Sequence, residues 1–195
     1  MNLKSEMMAK KWAISYRLFN DTTDAELSME LLKALEKDGL LADFALKTWC
    51  VFLFLRHQIH LLAKDKDPEA LPDPKCPVCK QADETKEHFF LECEAAKDDV
   101  STITGEIVKR LKAKHSYKAD TIKPWYIPKS DSHPSTLYRN MGNFDRVFGA
   151  AGLVPKALIV YFKSIGVSKP RSAVIECQTI VVQHAYDRFL ARVKN

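Results

Sequence analysis

The chain has 195 residues, 46% of them hydrophobic and 28% charged, with 30 Lys+Arg against 25 Asp+Glu and a formal net charge of +5. That length makes one domain or two small ones, too short for most multi-domain enzymes, and the composition excludes wholesale disorder. With only 6 glycines, a chain rich in Leu, Ala, Lys and Glu leans towards helices and away from hairpins and phosphate loops.

Ser5 to Asn20 reads as an amphipathic helix, with Met8, Trp12, Ile14, Tyr16, Leu18 and Phe19 at roughly helical spacing. Thr23-Asp24-Ala25-Glu26 has the form of a capping box and opens a second helix carrying Leu27, Met29, Leu31, Leu32 and Leu35, which Gly39 is expected to end. A third helix is predicted from Leu41 to Ala63. Its apolar residues, Phe44, Leu46, Trp49, Cys50, Phe52, Leu53, Phe54, Leu55, Ile59, Leu61 and Leu62, cover most of its circumference. Such a helix belongs at the centre of the fold. His57 and His60 near its end read as solvated or core-edge residues, since no further ligand lies near them in sequence. Asp65 to Lys75 holds three prolines and is a loop. Glu87 to Ala96 looks helical. Ser101 is expected to cap a helix through about Lys114, with Ile103, Ile107, Val108 and Leu111 on one face. Asp120 to Ser135 reads as irregular. Helices are expected at Ser135–Gly149, Val154–Ser164 and Pro170–Val193, the last with Ser168 as cap and Pro170 in its first turn. The fold class is therefore mainly α, a helical bundle with a small segment rich in cysteine, residues 76–93, inserted between helices.

Charge divides the chain. Residues 1–100 carry 14 Lys+Arg and 19 Asp+Glu, a balance of −5, and residues 101–195 carry 16 and 6, a balance of +10. We read residues 1–100 as helices plus this segment, and 101–195 as a basic helical region packed with them as one unit. The basic half is a candidate partner for a polyanion, nucleic acid being the commonest. Basic residues that simply solvate helix faces are the alternative.

Five cysteines is an odd number, unlike a secreted disulfide scaffold, and Met1 to Lys11 has no apolar core of the signal-peptide kind. The longest strongly apolar stretch without charge, Thr48 to Leu55, has eight residues, against the ~20 a bilayer helix needs. An intracellular protein, nuclear or cytoplasmic, without membrane contact is expected, with cysteines that serve as core residues or metal ligands.

The informative stretch is Cys76-Pro77-Val78-Cys79, eight residues, His88, four residues, Cys93. Three cysteines and a histidine within 18 residues match the Cys3His set of a structural zinc. The CxxC pair, with proline in the turn, forms a knuckle. His88 is expected at the start of a helix rather than inside it, because residues five apart on an α-helix point about 140° away from each other. One Zn2+ held by Cys76, Cys79, His88 and Cys93 fills every coordination position with protein, so the metal stabilises and offers no open position for water or substrate. A redox CxxC is the alternative, but it requires a βαβ setting of which there is no sign.

On these residues the chain resembles the zinc-binding domain that lies C-terminal to the reverse transcriptase of LINE-type (non-LTR) retrotransposons. The resemblance runs from Phe44 to Val100. It rests on Trp49, Phe52, Phe54, Leu55 and Arg56 in an aromatic and leucine-rich helix, then Cys76-Pro77-Val78-Cys79, Glu84-Thr85, Glu87-His88-Phe89-Phe90 and Glu92-Cys93. A weaker echo covers Phe148-Gly149 and Val154-Pro155-Lys156. The resemblance implies binding of RNA or DNA. The chain has no room for the polymerase that precedes this domain in the family, and it lacks an Asp-Asp dyad and the carboxylate–His set of an endonuclease. A fragment, a remnant or a host protein derived from such an element is expected, without catalysis of its own. The gap of eight residues before His88 also separates it from the shorter viral-type knuckle, which has four there.

Lys109, Arg110, Lys112, Lys114 and Lys118 form the best candidate phosphate stripe, and Arg139, Arg146, Lys163, Lys169 and Arg171 are candidates to extend it. Lys123-Pro124-Trp125-Tyr126-Ile127-Pro128-Lys129 sets two aromatics between lysines, an arrangement that grips single strands when the rings are exposed. The competing reading tucks Trp125 and Tyr126 into the core, where large aromatics mostly sit. Two functions follow: a zinc-stabilised nucleic-acid-binding module, or a protein-interaction or scaffold module derived from a retroelement. The second gains locally from the acidic metal segment, where residues 76–100 hold 7 Asp+Glu and 3 Lys+Arg. An enzyme is the weakest reading: Ser132 and His133 are adjacent but no motif surrounds them.

Overall fold

A computed structural model of the chain describes residues 23–49, 55–64, 73–126 and 149–194. The predicted helices at 5–20 and 135–149, most of the proline-containing loop before Cys76, and Cys50, Phe52, Phe54, Lys129, Arg139, Arg146 and Phe148 lie outside these residues, except that helix at 149–150 is described.

The first described helix, α1 (Ala25–Leu35), starts one residue later than a capping box on Thr23 requires. Asp24 is the cap, its side chain accepting from the Leu27 amide at 3.0 Å. The Thr23 hydroxyl is buried with no hydrogen-bond partner among the described residues, while its backbone forms an antiparallel bridge with Pro155. Leu27, Leu31, Leu32 and Leu35 form the buried face of α1.

Gly39 does not stop this helix. It is the first residue of α2 (Gly39–Trp49), and Asp38 caps the new start, accepting from the Leu40 and Leu41 amides at 3.2 Å each. A cap that offers an acceptor decides the boundary here, so the conformational freedom of glycine is not needed. The long apolar helix predicted to Ala63 is interrupted as well: α2 is described to Trp49, Leu55 is non-helical, and α3 spans Arg56–Lys64.

After the metal segment comes α4 (Glu94–Lys114). It starts seven residues before Ser101, which therefore lies inside a helix and does not cap one. Its buried residues include Ile103, Ile107, Val108 and Leu111, the face read from the sequence. The helix crosses residue 100, where the sign of the charge changes. Two helices complete the described residues: α5 (Lys156–Ser164) and α6 (Pro170–Lys194).

Among the described residues the helix on which most others pack is α6. Helices α1, α2, α4 and α5 all pack on it. Its inward residues are mostly small: Ala173, Val174, Cys177, Val181, Val182 and Ala185, all at most 2% exposed. Small side chains let several helix axes approach one rod at once, which bulky rings do not allow. The aromatics sit around that rod, with Phe44 against Tyr186 and Phe189 at ring separations of 5.4 Å each.

The segment from Gly149 to Pro155 is wholly buried between residues 150 and 155, so its backbone polar groups require partners inside the protein. Trp49 Nε1 donates to the Ala151 carbonyl at 2.9 Å, Gln178 Nε2 to the Leu153 carbonyl at 2.9 Å, and Ser28 Oγ accepts from the Val154 amide at 3.1 Å. Gly152 is left-handed, with φ +103°, and a Cβ there would stand 2.4 Å from Val182 Cγ2. Gly152→Ala is expected to lower stability by about 1–3 kcal/mol through overpacking against α6 and the strained φ. Urea titration checks it, and an unchanged midpoint would show that Val182 can move aside. No described helix is long and apolar enough to cross a membrane.

Candidate metal centre

The loop that carries the first two cysteines is closed by its own backbone. The Cys76 amide donates to the Ala82 carbonyl at 2.9 Å and the Lys80 amide to the Cys76 carbonyl at 2.9 Å. Lys75 and Asp83 form an antiparallel bridge, reinforced by Lys75 Nζ at 3.0 Å from Asp83 Oδ1. Lys80 takes a left-handed φ of 58° just after the second cysteine, turning the chain back. The result is a knuckle that holds Cys76 and Cys79 on one side.

His88 and Cys93 come from a turn of unusual winding. Thr85 Oγ1 accepts the His88 amide at 3.0 Å, which fixes the start of the turn. His88–Glu92 is then π-helical, and the Cys93 amide reaches the His88 carbonyl at 2.8 Å. An i→i+5 bond places residue i+5 over residue i. It removes the divergence of about 140° that α-helical winding would impose on residues five apart. The helical turn begins at Lys86 and Glu87, so His88 lies inside it rather than at its entry as expected, and the π winding is what brings Cys93 beside it. Cys93 itself is extended, with ψ 137°, and forms the N-cap of α4.

The four donor atoms lie within 4.8 Å of one another. Cys76 Sγ and Cys93 Sγ are 3.9 Å apart, and Cys79 Sγ is 3.2 Å from His88 Nε2. Zinc–ligand distances in a tetrahedron imply roughly 3.8 Å between sulfurs and about 3.6 Å between sulfur and nitrogen. A disulfide would need ~2 Å, and all four described cysteines are free thiols. The Cys3His group has the donor chemistry and spacing to hold one metal ion. Cys76, His88 and Cys93 are buried and Cys79 is half-buried. Among the described residues the small apolar cluster around it comprises Cys76, Cys93 and Ala96 with Cys79 and Ala95.

Two of the thiols are tuned in opposite directions. Burial pushes the Cys93 thiol up to about 11 against the pull of the Ala95 amide, and the neighbouring sulfurs add to the rise. Burial also opposes the Cys79 thiolate, but hydrogen bonds from the Gln81 and Ala82 amides and from the Cys76 and Cys93 thiols together outweigh it and leave that thiol below its usual value. A metal ion must displace the proton that Cys93 holds at neutral pH. Cys177, in contrast, is an inert core thiol, raised far above its ordinary value by burial in α6.

Sequence reasoning did not identify Glu84 as a key residue. It is fully buried, lies between Cys79 and His88, and accepts from Arg192 Nε, 108 residues away. Its other oxygen accepts the Arg56 amide at 2.8 Å, at the first residue of α3. No local spacing signals such a pair. Other acids of the segment are paired too: Asp83 with Lys75 and His57, and Asp99 with Arg188 at 2.6 Å. Glu87, Glu92, Glu94 and Asp98 are exposed.

The candidate nucleic-acid residues separate into three groups. Trp125 and Tyr126 are not available for base stacking. Trp125 is 0% and Tyr126 4% exposed, packed edge-on to each other and, for Trp125, to Phe162. Trp125 Nε1 donates to Gln178 Oε1 at 2.9 Å. The competing reading of these rings as core anchors is the correct one, since a ring enclosed on all sides has no face to offer. Arg110 and Lys114 converge on Glu176 at 3.3 and 3.2 Å. Burial alone would raise the Glu176 carboxyl, but hydrogen bonds from Lys114 and Arg110 hold it below the usual range. Arg171 bridges to Glu26 and Glu30 on α1. The third group, Lys109, Lys112, Lys118 and Lys123, is exposed on α4 and the loop after it, with Lys112 paired to Asp120. Lys163 and Lys169 are exposed elsewhere. No family model matches the chain, and no curated protein or solved structure gives a significant match.

Proposed function

We propose that the chain is a zinc-stabilised helical module that binds nucleic acid and has no catalysis of its own, in the manner of the domains that follow the reverse transcriptase in non-LTR retrotransposons. The observation that carries the metal part is the convergence of three sulfurs and one imidazole nitrogen within 4.8 Å. Zinc fits this donor set better than magnesium or calcium, which take oxygen ligands. Four protein donors complete a tetrahedron, so the ion acts as a structural clamp.

The nucleic-acid part rests on the exposed Lys109, Lys112, Lys118 and Lys123 along the C-terminal half of α4 and the following loop. With Trp125 and Tyr126 enclosed, this surface reaches phosphates and does not stack on bases. Binding should then be salt-sensitive and largely indifferent to sequence. The exposed acids Glu87, Glu92, Glu94 and Asp98 keep a polyanion away from the metal loop itself. Those same acids, with Val78 45% exposed at the knuckle tip, favour the second reading, a protein-interaction module whose contact surface is the metal loop.

The test is a titration of zinc-loaded protein with labelled single-stranded RNA and duplex DNA at two salt concentrations. Reversing Lys109, Lys112 and Lys118 to Glu should lower the log–log salt slope on duplex DNA by about 3, at 0.9 per phosphate contact. No binding at low salt by protein that carries one zinc would leave the interaction module as the function.

A further inference from the structure

We propose that Glu84 is a positioning residue that couples filling of the Cys3His loop to the docking of two helix ends, the first turn of α3 and the last turns of α6. The coupling rests on the metal reading above, and the geometry that supports it is entirely within this chain.

Glu84 touches both arms of the loop through its backbone and both helix ends through its side chain. Its amide donates to the Pro74 carbonyl at 2.8 Å, in the strand of chain that leads into Cys76. Its C-terminal neighbour Thr85 accepts the His88 amide and so sets the orientation of the turn that carries the imidazole. The carboxylate then reaches outward from the loop, one oxygen to the Arg56 amide and the other to Arg192 Nε. Arg192 lies over the Phe189 ring at 5.0 Å, and that ring packs against Phe44 of α2 and Phe89 of the π turn.

This arrangement has two self-consistent states. With the loop closed on a metal, Pro74, Glu84 and His88 are held together, and the carboxylate is presented where Arg56 and Arg192 meet it. With the loop open, the backbone bond to Pro74 and the Thr85 cap loosen together. Glu84 is then free to follow the loop into water, and its ion pair with Arg192 is lost. Loss of a pair that joins the loop to the end of α6 weakens the docking of that end. Linkage makes the effect reciprocal: whatever factor the metal contributes to docking, docking returns to metal affinity. Residues that never touch the metal therefore influence how fast it leaves.

Zinc release to a chromophoric chelator, measured on the full chain, tests this. Four variants are compared with wild type: Glu84→Gln, which keeps the shape and an acceptor for the Arg56 amide, Arg192→Gln, the double variant, and the exposed control Glu87→Gln. Inductively coupled plasma measurement of zinc per chain and far-UV circular dichroism confirm loading and folding before release starts. The expected result is release at least tenfold faster for Glu84→Gln and for Arg192→Gln, in the range known for outer-shell partners of metal ligands. The double variant should be no faster than the faster single, because both remove one connection, and Glu87→Gln should match wild type. Release from Arg192→Gln at the wild-type rate, or rates that multiply in the double variant as for two independent destabilisations, overturns the coupling. Should Glu84→Gln fail to fold, Arg192→Gln against wild type still decides the question. Wild-type protein that carries no zinc fails the metal reading instead, and is distinguished by the loading measurement.

Discussion

Chelating the metal should unfold the segment from Lys75 to Ala96 and lower the midpoint of thermal unfolding, with a loss on the order of 10 kcal/mol for that segment. The reason is local. Four donor side chains meet in a corner whose apolar cluster amounts to Cys76, Cys93 and Ala96 with two half-buried neighbours. That is too little buried area to hold a loop together at about 25 cal/mol per Å2. The knuckle has only its own backbone bonds and the Lys75–Asp83 pair besides the four donors, while Phe89, Phe90 and Glu84 fasten the rest of the segment to the helical body, so the loss should be concentrated in the knuckle. The helical body has a separate core around α6, so helix content should fall only in part when the metal leaves. Melting followed at 222 nm with and without a chelator checks this, and added zinc should restore the original curve. A chelated chain with an unchanged midpoint would mean that the four donors hold no structural ion. Cys79→Ser should reproduce most of the effect, since it removes the half-buried thiol whose thiolate is favoured by the Gln81 and Ala82 amides.

Trp125→Ala should cost about 3–5 kcal/mol while leaving nucleic-acid affinity per folded molecule unchanged. The side chain is fully buried among Phe162, Tyr126 and Gln178. Truncation opens a large cavity and also strips Gln178 Oε1 of its donor, while Gln178 Nε2 still serves the Leu153 carbonyl. Chemical denaturation gives the stability, and binding measured well below the midpoint gives the affinity. A variant of normal stability that binds RNA tenfold more weakly would show that the ring reaches the ligand after all. The two outcomes separate a ring that anchors the loop from a ring that stacks on bases.

Certain features were readable from the chain because the physics behind them is short-range. The Cys3His set is one: residue type and spacing over 18 residues are enough to pick out four donor atoms that the fold brings within 4.8 Å of one another. The buried face of α4 is another, since Ile103, Ile107 and Leu111 repeat at the period of a helix. Boundaries were less readable. Gly39 was expected to end one helix and instead begins the next, because Asp38 offers the better cap. Ser101 resembles a cap but lies within α4, which Cys93 had already started.

Residue type, order and spacing by themselves determined the helical class, the four candidate metal donors and the basic character of the second half. Each of these is fixed by residue identity and by spacing along a short stretch or by a simple count, so the chain states them directly. Only the tertiary structure decided that α6 is the hub, that Trp125 and Tyr126 are enclosed, and that Glu84 meets Arg192 across 108 residues. Such outcomes depend on which surfaces approach closely enough to exclude water. Small residues on α6 permitted that approach by four described helices, and the Glu84 carboxylate, set between Cys79 and His88, met Arg192.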